Sequence, residues 1–209
     1  VGYQVKMNIP ETLIIECGNI VSYDYDIELD EGWGIIGYLN QDCYSAIDMM
    51  SPIVNDLIIV KDEAGSVYWP TFGINSIGNM CPGKGYQIKT TEATTLNYPE
   101  GLDATRYGNI YVERPVHFDE PINTGNNMII GLPFNSWKTT PSIGDEIAAY
   151  GEDGTQIGST TFQGDHIALT IWGDDLTTNK KEGISEGETI NFKLWNSQTG
   201  VEQALEVRW

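Results

Sequence analysis

Apolar and polar residues alternate along most of this chain, a pattern that predicts short β-strands. From Tyr23 onward, residues 19–29 place an apolar side chain at every second position, as in a strand with one buried face. Residues 56–61 and 66–69 are two β-rich runs joined by a short acidic turn with a glycine, which predicts a hairpin. Only residues 45–52 have a weakly helical pattern, and the helix they predict is short.

The second half of the chain predicts a separate β-module. Residues 102–108 lack apolar periodicity, so we place the boundary there, between a module at 19–104 and one at 105–209. After it, strands and turn signals recur about every ten residues, which is typical of a Greek-key sandwich. The seven predicted strands cover residues 115–118, 127–132, 146–150, 156–162, 166–172, 189–195 and 202–209.

The chain also contains an internal copy of part of itself. Residues 1–18 align without a gap to residues 84–101 at an offset of 83, with identities that include Tyr3 with Tyr86 and Leu13 with Leu96. A repeat at a fixed offset indicates a modular architecture. We therefore expect an all-β protein with two tandem β-sandwich modules of immunoglobulin-like or Greek-key type, preceded by a partial repeat.

A half-module cannot complete a sheet by itself, because its backbone N–H and C=O groups need partners. Residues 1–18 are therefore candidate donor or linker strands for an adjacent module or a neighbouring subunit. The side chains expected to fill the acceptor core are Tyr3, Val5, Leu13 and Ile15.

The net negative charge of the chain makes nucleic acids poor candidate partners. The chain has 11 basic and 30 acidic residues and a net charge of -19, which repels nucleic acid phosphates. Its apolar runs are all shorter than 18 residues, so we predict no membrane insertion.

Several motifs resemble a known kind of module. GWGIIGYL, NDLIIVKDEAGSVYWPTFGINSIGN and GYQIK resemble a repeat of large secreted surface proteins of the Bacteroidota type. Residues 127–209, with GDEIAAY, WGDDLTT and INFKLWN, look like the β-sandwich modules of the same proteins. The resemblance implies an extracellular, structural or adhesive context and no shared catalytic activity.

Three cysteines are present. Cys43 and Cys81 lie inside one predicted module, so we favour a disulfide between them, with Cys17 free or bonded to another chain. The alternative is three reduced thiols.

The sequence predicts that the protein is not an enzyme. His117 and His166 are the only histidines, and no G-x-S-x-G, H-E-x-x-H or C-x-x-C motif occurs. With 30 acidic residues, pairs of carboxylates arise by chance and do not by themselves indicate a glycosidase.

An acidic loop at residues 173–188 is the strongest candidate metal site. Asp174, Asp175, Asn179 and Glu182 could supply oxygen ligands to Ca²⁺. The competing interpretation, which we favour, is that these aspartates accept backbone hydrogen bonds within turns.

Aromatic residues suggest the other class of function. The chain has six tryptophans, and flat aromatic faces can stack on sugar rings. Trp69 and Trp137 are the best candidates for exposed platforms, although packing in a core or at a module interface is the alternative for each.

Together these patterns predict a structural subunit of an extracellular fibre or adhesive cell-surface protein, which associates with itself by strand complementation. The alternative is a carbohydrate-binding module pair of a larger secreted protein, with glycans as partners. Neither function requires a cofactor, apart from the candidate calcium ion.

Overall fold

The computed structural model describes residues 24–102 and 113–207, together with residues 7, 9–12, 14 and 22. The protein is all-β and of the sandwich type, as predicted, with several antiparallel sheets. It divides into two compact units, the first built largely from residues before 112 and the second largely from residues 112–209. The boundary predicted after residue 104 lies outside the described residues.

The described residues up to 102 contain nine strands. Five of them form one sheet with the order β2-β8-β4-β5-β6, and two further pairs, β1-β9 and β3-β7, form small sheets. Their bounds are β1 (Ile27–Leu29), β2 (Gly32–Gly37), β3 (Tyr44–Ser45), β4 (Leu57–Lys61), β5 (Val67–Trp69), β6 (Ile74–Asn75), β7 (Asn79–Met80), β8 (Gly85–Thr90) and β9 (Thr94–Leu96).

The predicted hairpin and helix are both present. The turn at residues 62–66 connects β4 and β5, and Val60 pairs with Tyr68 across the hairpin. The helix α1 (Ala46–Met49) is short, as expected, and 3₁₀ turns follow at Ser51–Ile53 and Pro70–Phe72. The Ser45 hydroxyl caps α1 by accepting a hydrogen bond from the Ile47 N–H at 3.2 Å.

The first core is formed by apolar side chains from these strands and from α1. Strand alternation produces it, because buried residues recur at every second position of β8. Its buried members are Leu29, Ile36, Tyr38, Ala46, Met49, Met50, Ile53, Leu57, Val60, Tyr68, Met80, Tyr86, Ile88, Leu96 and Tyr98.

In the second unit, the described residues from 113 onward contain six strands. One antiparallel sheet has the order β12-β11-β14-β15, and β10 pairs with β13 in another. The bounds are β10 (Asn127–Leu132), β11 (Glu146–Tyr150), β12 (Gln156–Thr161), β13 (Ile167–Trp172), β14 (Asn191–Trp195) and β15 (Glu202–Leu205), with a 3₁₀ turn at Phe134–Ser136.

Both sheets of this unit contribute to one core, which is the defining feature of a sandwich. Ile130 and Leu169 reach it from the β10-β13 sheet, and Ile147, Ala149 and Phe192 reach it from the four-stranded sheet. None of the helices in the described part of the chain is both long and apolar enough to cross a membrane.

Two strand predictions need correction. Residues 115–118 were expected to form a strand, but residues 116–118 are bends whose N–H groups donate to a side chain instead of to a sheet. Within the described part of residues 19–29, only Ile27–Leu29 is a strand, because β9, its antiparallel partner, supplies just three residues.

Candidate functional site

The second member of the internal repeat, residues 84–101, forms β8 and β9. Strand β8 is central in its sheet and pairs antiparallel with β2 on one side and β4 on the other. Ile88, for example, lies opposite Gly34 of β2 and Val60 of β4. Both backbone edges of β8 are therefore used, and the strand completes the sheet that carries the first core.

Four side chains of this segment fill that core. Tyr86 and Ile88 of β8 are at most 3% exposed, and Leu96 and Tyr98 of the β9 region are fully buried. Full burial of an apolar side chain of this size stabilises the folded state by roughly 1.5–3 kcal/mol. The segment is therefore a major part of the core as well as of the sheet.

Tyr98 is also tied to the first unit by a polar contact. Its hydroxyl donates a hydrogen bond to the Gly37 carbonyl oxygen at 3.2 Å, and its ring meets Tyr38 edge to face with 5.5 Å between centroids. Burial raises the pKa of the Tyr98 phenol above its usual range. The buried hydroxyl thus has a partner and stays neutral.

The predicted assembly residues correspond by sequence to these four core residues. At the offset of 83, Tyr3, Val5, Leu13 and Ile15 align with Tyr86, Ile88, Leu96 and Tyr98 in turn. The first three alignments are identical or conservative, and the fourth keeps a large apolar residue. Tyr3, Val5, Leu13 and Ile15 themselves lie outside the described residues. Their aligned counterparts make residues 1–18 a sequence copy of a core-forming segment.

The predicted sugar platforms are not exposed aromatic faces. Trp137 is half-buried, packs against the second core and meets Phe162 edge to face with 6.1 Å between centroids. Its indole nitrogen is buried without a hydrogen-bond partner in the described chain. Trp69, at the end of β5, is half-buried as well. Among the tryptophans that the structure describes, Trp33 is the exposed one, at 53%.

The carboxylates of the predicted calcium site accept hydrogen bonds within their own loop. Asp174 Oδ1 accepts from the Glu182 N–H at 2.8 Å, and Asp175 Oδ1 accepts from the Thr177 N–H at 3.0 Å. The Glu182 carboxylate accepts from the Thr178 hydroxyl. Among the described residues, which include Asn179, no group of three or more His, Cys, Asp or Glu side chains is placed to hold a metal ion. These carboxylates therefore stabilise turns.

Cys43 and Cys81 form a disulfide. They flank the paired strands β3 and β7, in which Tyr44 lies opposite Met80. The bond therefore closes a loop that contains α1, β4 and β5. Cys17 lies outside the described residues.

Both histidines are used in packing and hydrogen bonding. His117 Nε2 is 2.9 Å from Glu202 Oε1, and His166 Nδ1 accepts a hydrogen bond from the Phe134 N–H at 3.0 Å. Within the described chain neither histidine is hydrogen-bonded to a Ser, Thr or Cys side chain. The histidine positions therefore show no arrangement for nucleophilic catalysis.

Sequence reasoning missed a buried carboxylate in the second unit that accepts several backbone hydrogen bonds. The Glu146 side chain is only 1% exposed and accepts hydrogen bonds from the N–H groups of Val116, His117 and Phe118 at 2.8–3.1 Å. The neighbouring Asp145 accepts from the Ser142 N–H in the same way. The available signal was the motif Gly144-Asp145-Glu146 at the start of a predicted buried strand. Carboxylates that become buried need hydrogen-bond donors.

Comparisons of the chain with protein-family models, with curated proteins and with solved structures gave no match.

Proposed function

We propose that this protein is a structural subunit of an extracellular fibre or adhesive surface protein, in which residues 1–18 donate strands to a neighbouring module. One observation carries the proposal. Tyr3, Val5, Leu13 and Ile15 align with the four buried apolar side chains that residues 84–101 contribute to the first core. A segment with this pattern can complete a core in the same way.

The acceptor is a module of the same type as the first unit. In that unit, the space between β2 and β4 is filled by β8, with hydrogen-bonded partners on both sides. A donated copy of β8 would enter the same space in a module that lacks or releases its own copy. Exchange of an identical element between copies is an inexpensive route to association, because it reuses native contacts.

Two further properties support the proposal, one of its location and one of its assembly. The Cys43–Cys81 disulfide suits an oxidising environment, since thiols are kept reduced in the cytosol. The net charge of -19 keeps subunits apart unless specific pairing holds them together. Self-assembly of such a chain therefore requires a directed contact such as strand donation.

The test compares inward and outward positions of the donor segment. A Tyr3→Asn, Val5→Asn variant removes two core-filling side chains, while a Gln4→Asn, Lys6→Asn control changes positions that align with the outward Gln87 and Lys89. Light scattering after size-exclusion chromatography and negative-stain electron microscopy report assembly.

We expect filaments or oligomers from the unaltered chain and from the control, and folded monomers from the inward variant and from a deletion of residues 1–18. Unchanged assembly after the deletion would contradict strand donation. So would a chain that remains monomeric without any alteration.

A further inference from the structure

Strand β2 forms one edge of the five-stranded sheet of the first unit. Its neighbour in the sheet is β8, and the opposite edge of β2 pairs with no strand among the residues that the structure describes. The Tyr38 N–H donates to the Lys84 carbonyl oxygen at 3.1 Å, so the even-numbered residues of β2 direct their backbone groups towards β8. The backbone groups of Trp33, Ile35 and Gly37 therefore point away from the sheet.

This edge lacks the features by which strands usually avoid pairing with other chains. Natural edge strands carry charges, prolines or bulges, or they are very short. Strand β2 has six residues, GWGIIG, with no charged residue and no proline. At the other end of the same sheet, β6 has only two residues. In a chain with a net charge of -19, β2 thus offers a second strand backbone partners without a charge of its own.

The side chains of β2 are self-complementary about Ile35. In an antiparallel pair of two β2 strands centred on this residue, Ile35 lies opposite its own copy, and Trp33 lies opposite Gly37 of the second copy. A Cβ at Gly37 would meet nothing within 4 Å among the described residues, so the space above this glycine is open to an indole. Trp33 is itself 53% exposed. Each copy therefore supplies an aromatic ring to cover the edge glycine of the other.

The polar groups around β2 are compatible with this register. Glu31, which precedes the strand, falls opposite Leu39 of the second copy and meets no carboxylate there. Lys89 is the cross-strand neighbour of Trp33 within one copy, and at standard strand spacing and rise the two copies of Lys89 are roughly 20 Å apart. The Gly37 carbonyl oxygen accepts from the Tyr98 hydroxyl and has a second lone pair for the pairing.

We infer that β2 is a self-association edge, at which two copies of this chain pair antiparallel through their β2 strands and join their five-stranded sheets. Such a contact is symmetric about a two-fold axis and closes after two copies, whereas strand donation continues from copy to copy. The contact does not need residues 1–18. In a fibre of the kind proposed above, it would join two filaments side by side.

One edge contact by itself is weak. It belongs with the smallest interfaces, so we expect a dissociation constant of about 0.1–1 mM at physiological salt. The net charge of -19 on each copy opposes the contact, and association should be about tenfold tighter at 1 M salt, where the screening length falls to about 3 Å. Dilute chains in low salt therefore stay monomeric, whereas subunits held close together in a fibre pair through multivalency.

Sedimentation equilibrium of the full-length chain in 1 M sodium chloride measures the pairing. The Tyr3→Asn, Val5→Asn chain is the starting protein, because it does not donate its strands. Adding Ile35→Lys places two like charges opposite each other on the two-fold axis and should weaken the dimer at least about tenfold. Adding Ile47→Lys is the matched control, since it makes the same change at an isoleucine of α1 that is 49% exposed, and it should leave the dimer unchanged.

Cysteine cross-linking tests the register of the pair. The Cα atoms of a hydrogen-bonded antiparallel pair are about 5.5 Å apart, which lies inside the range that a disulfide spans. Ile35→Cys should therefore form a disulfide-linked dimer on mild oxidation. Gly37→Cys is the control, because its two copies would be four residues apart along the strands, about 14 Å. Both variants also carry Cys17→Ser, so that Cys17 forms no cross-link.

Circular dichroism verifies that each variant is folded, and the cross-linking decides the question if Ile35→Lys is not. The inference is overturned if the starting protein stays monomeric at 1 M salt, or if Ile47→Lys weakens the dimer as much as Ile35→Lys. It is equally overturned if Gly37→Cys cross-links as readily as Ile35→Cys. Filaments without this dimer would leave strand donation standing alone, and the dimer without filaments would leave this contact standing alone.

Discussion

The imidazole of His117 lies flat on the indole of Trp195, with 4.5 Å between the ring centroids and 8° between the ring planes. Trp195 is on β14, whereas His117 belongs to the irregular segment at residues 116–118 that the Glu146 carboxylate holds. This stack and the three hydrogen bonds to Glu146 fix the segment against the four-stranded sheet.

The first prediction concerns Glu146. Glu146→Ala would leave the N–H groups of residues 116–118 without their acceptor, so we expect a loss of about 2–4 kcal/mol in the free energy of unfolding. Glu146→Gln keeps one acceptor oxygen and should cost less. Urea unfolding measures both variants. The control is Glu186→Ala, because Glu186 is exposed. An equal loss of stability in that variant would contradict the stabilising role of the Glu146 carboxylate.

The second prediction concerns acid. Hydrogen bonds from His117 and then from Lys193 lower the pKa of Glu202. A lowered carboxyl pKa stabilises the folded state above the ordinary glutamate value of about 4.3, and this contribution is lost as pH falls through the lower folded-state value. Thermal unfolding should therefore show a steeper loss of stability below about pH 4.3 in the native chain than in Glu202→Gln. Parallel pH profiles would refute this role of Glu202.

The third prediction concerns alkali. Burial is the main cause that raises the pKa values of Tyr38, Tyr68, Tyr86 and Tyr98 in the first core. A raised pKa contributes stability below the ordinary tyrosine value of about 10, and this contribution is lost as pH rises above it. Phenolate absorbance should show these tyrosines ionising only together with unfolding. Their ionisation in the folded protein near pH 10, the ordinary value, would contradict the burial.

The fourth prediction concerns the disulfide. Cys43 and Cys81 are 38 residues apart, and the chain-entropy relation for a loop of that length gives about 4 kcal/mol of stabilisation. A Cys43→Ser, Cys81→Ser double variant should lose most of this from the first unit. Hydrogen exchange resolved by residue provides the readout, with amides of β11 and β14 as the internal control. Equal loss of protection in both units would argue against a local effect.

The fifth prediction concerns a close approach between β12 and β13. A Cβ added at Gly158 would lie 2.3 Å from the Thr170 carbonyl oxygen, so Gly158→Ala must displace backbone and should cost about 1–3 kcal/mol. Gly37→Ala is a matched control in a strand of the first unit, since a Cβ there meets nothing within 4 Å. Denaturant midpoints for the two variants should differ clearly, and similar midpoints would show that β12 can move away.

Strand alternation predicted most of the fold, because one buried face recurs at every second residue. It predicted most strands of the second unit. It failed at residues 116–118, since an apolar pair beside a histidine has the same local pattern whether a sheet or the Glu146 carboxylate accepts its N–H groups. The acceptor of these N–H groups is Glu146, about 30 positions away in the chain, so the local pattern does not reveal it.

The candidate sites were less predictable than the fold. Exposure of a tryptophan depends on what packs above it, so the sequence could not separate the half-buried Trp137 from the exposed Trp33. Likewise, the approach of the Lys61 and Lys89 ammonium groups to the Trp33 ring requires that β2, β8 and β4 be neighbours in that order. Local sequence specifies each strand, whereas the order of strands is a property of the whole chain.

The Cys43–Cys81 bond also has a mechanical consequence. If the protein is pulled from its two ends, force passes through the disulfide and bypasses the 38-residue span that it closes. At 3.3–3.6 Å per extended residue, this removes roughly 130 Å from the length that the chain can gain under load. The enclosed span would not be extended, so the protein would gain less length under load in oxidising surroundings than after reduction.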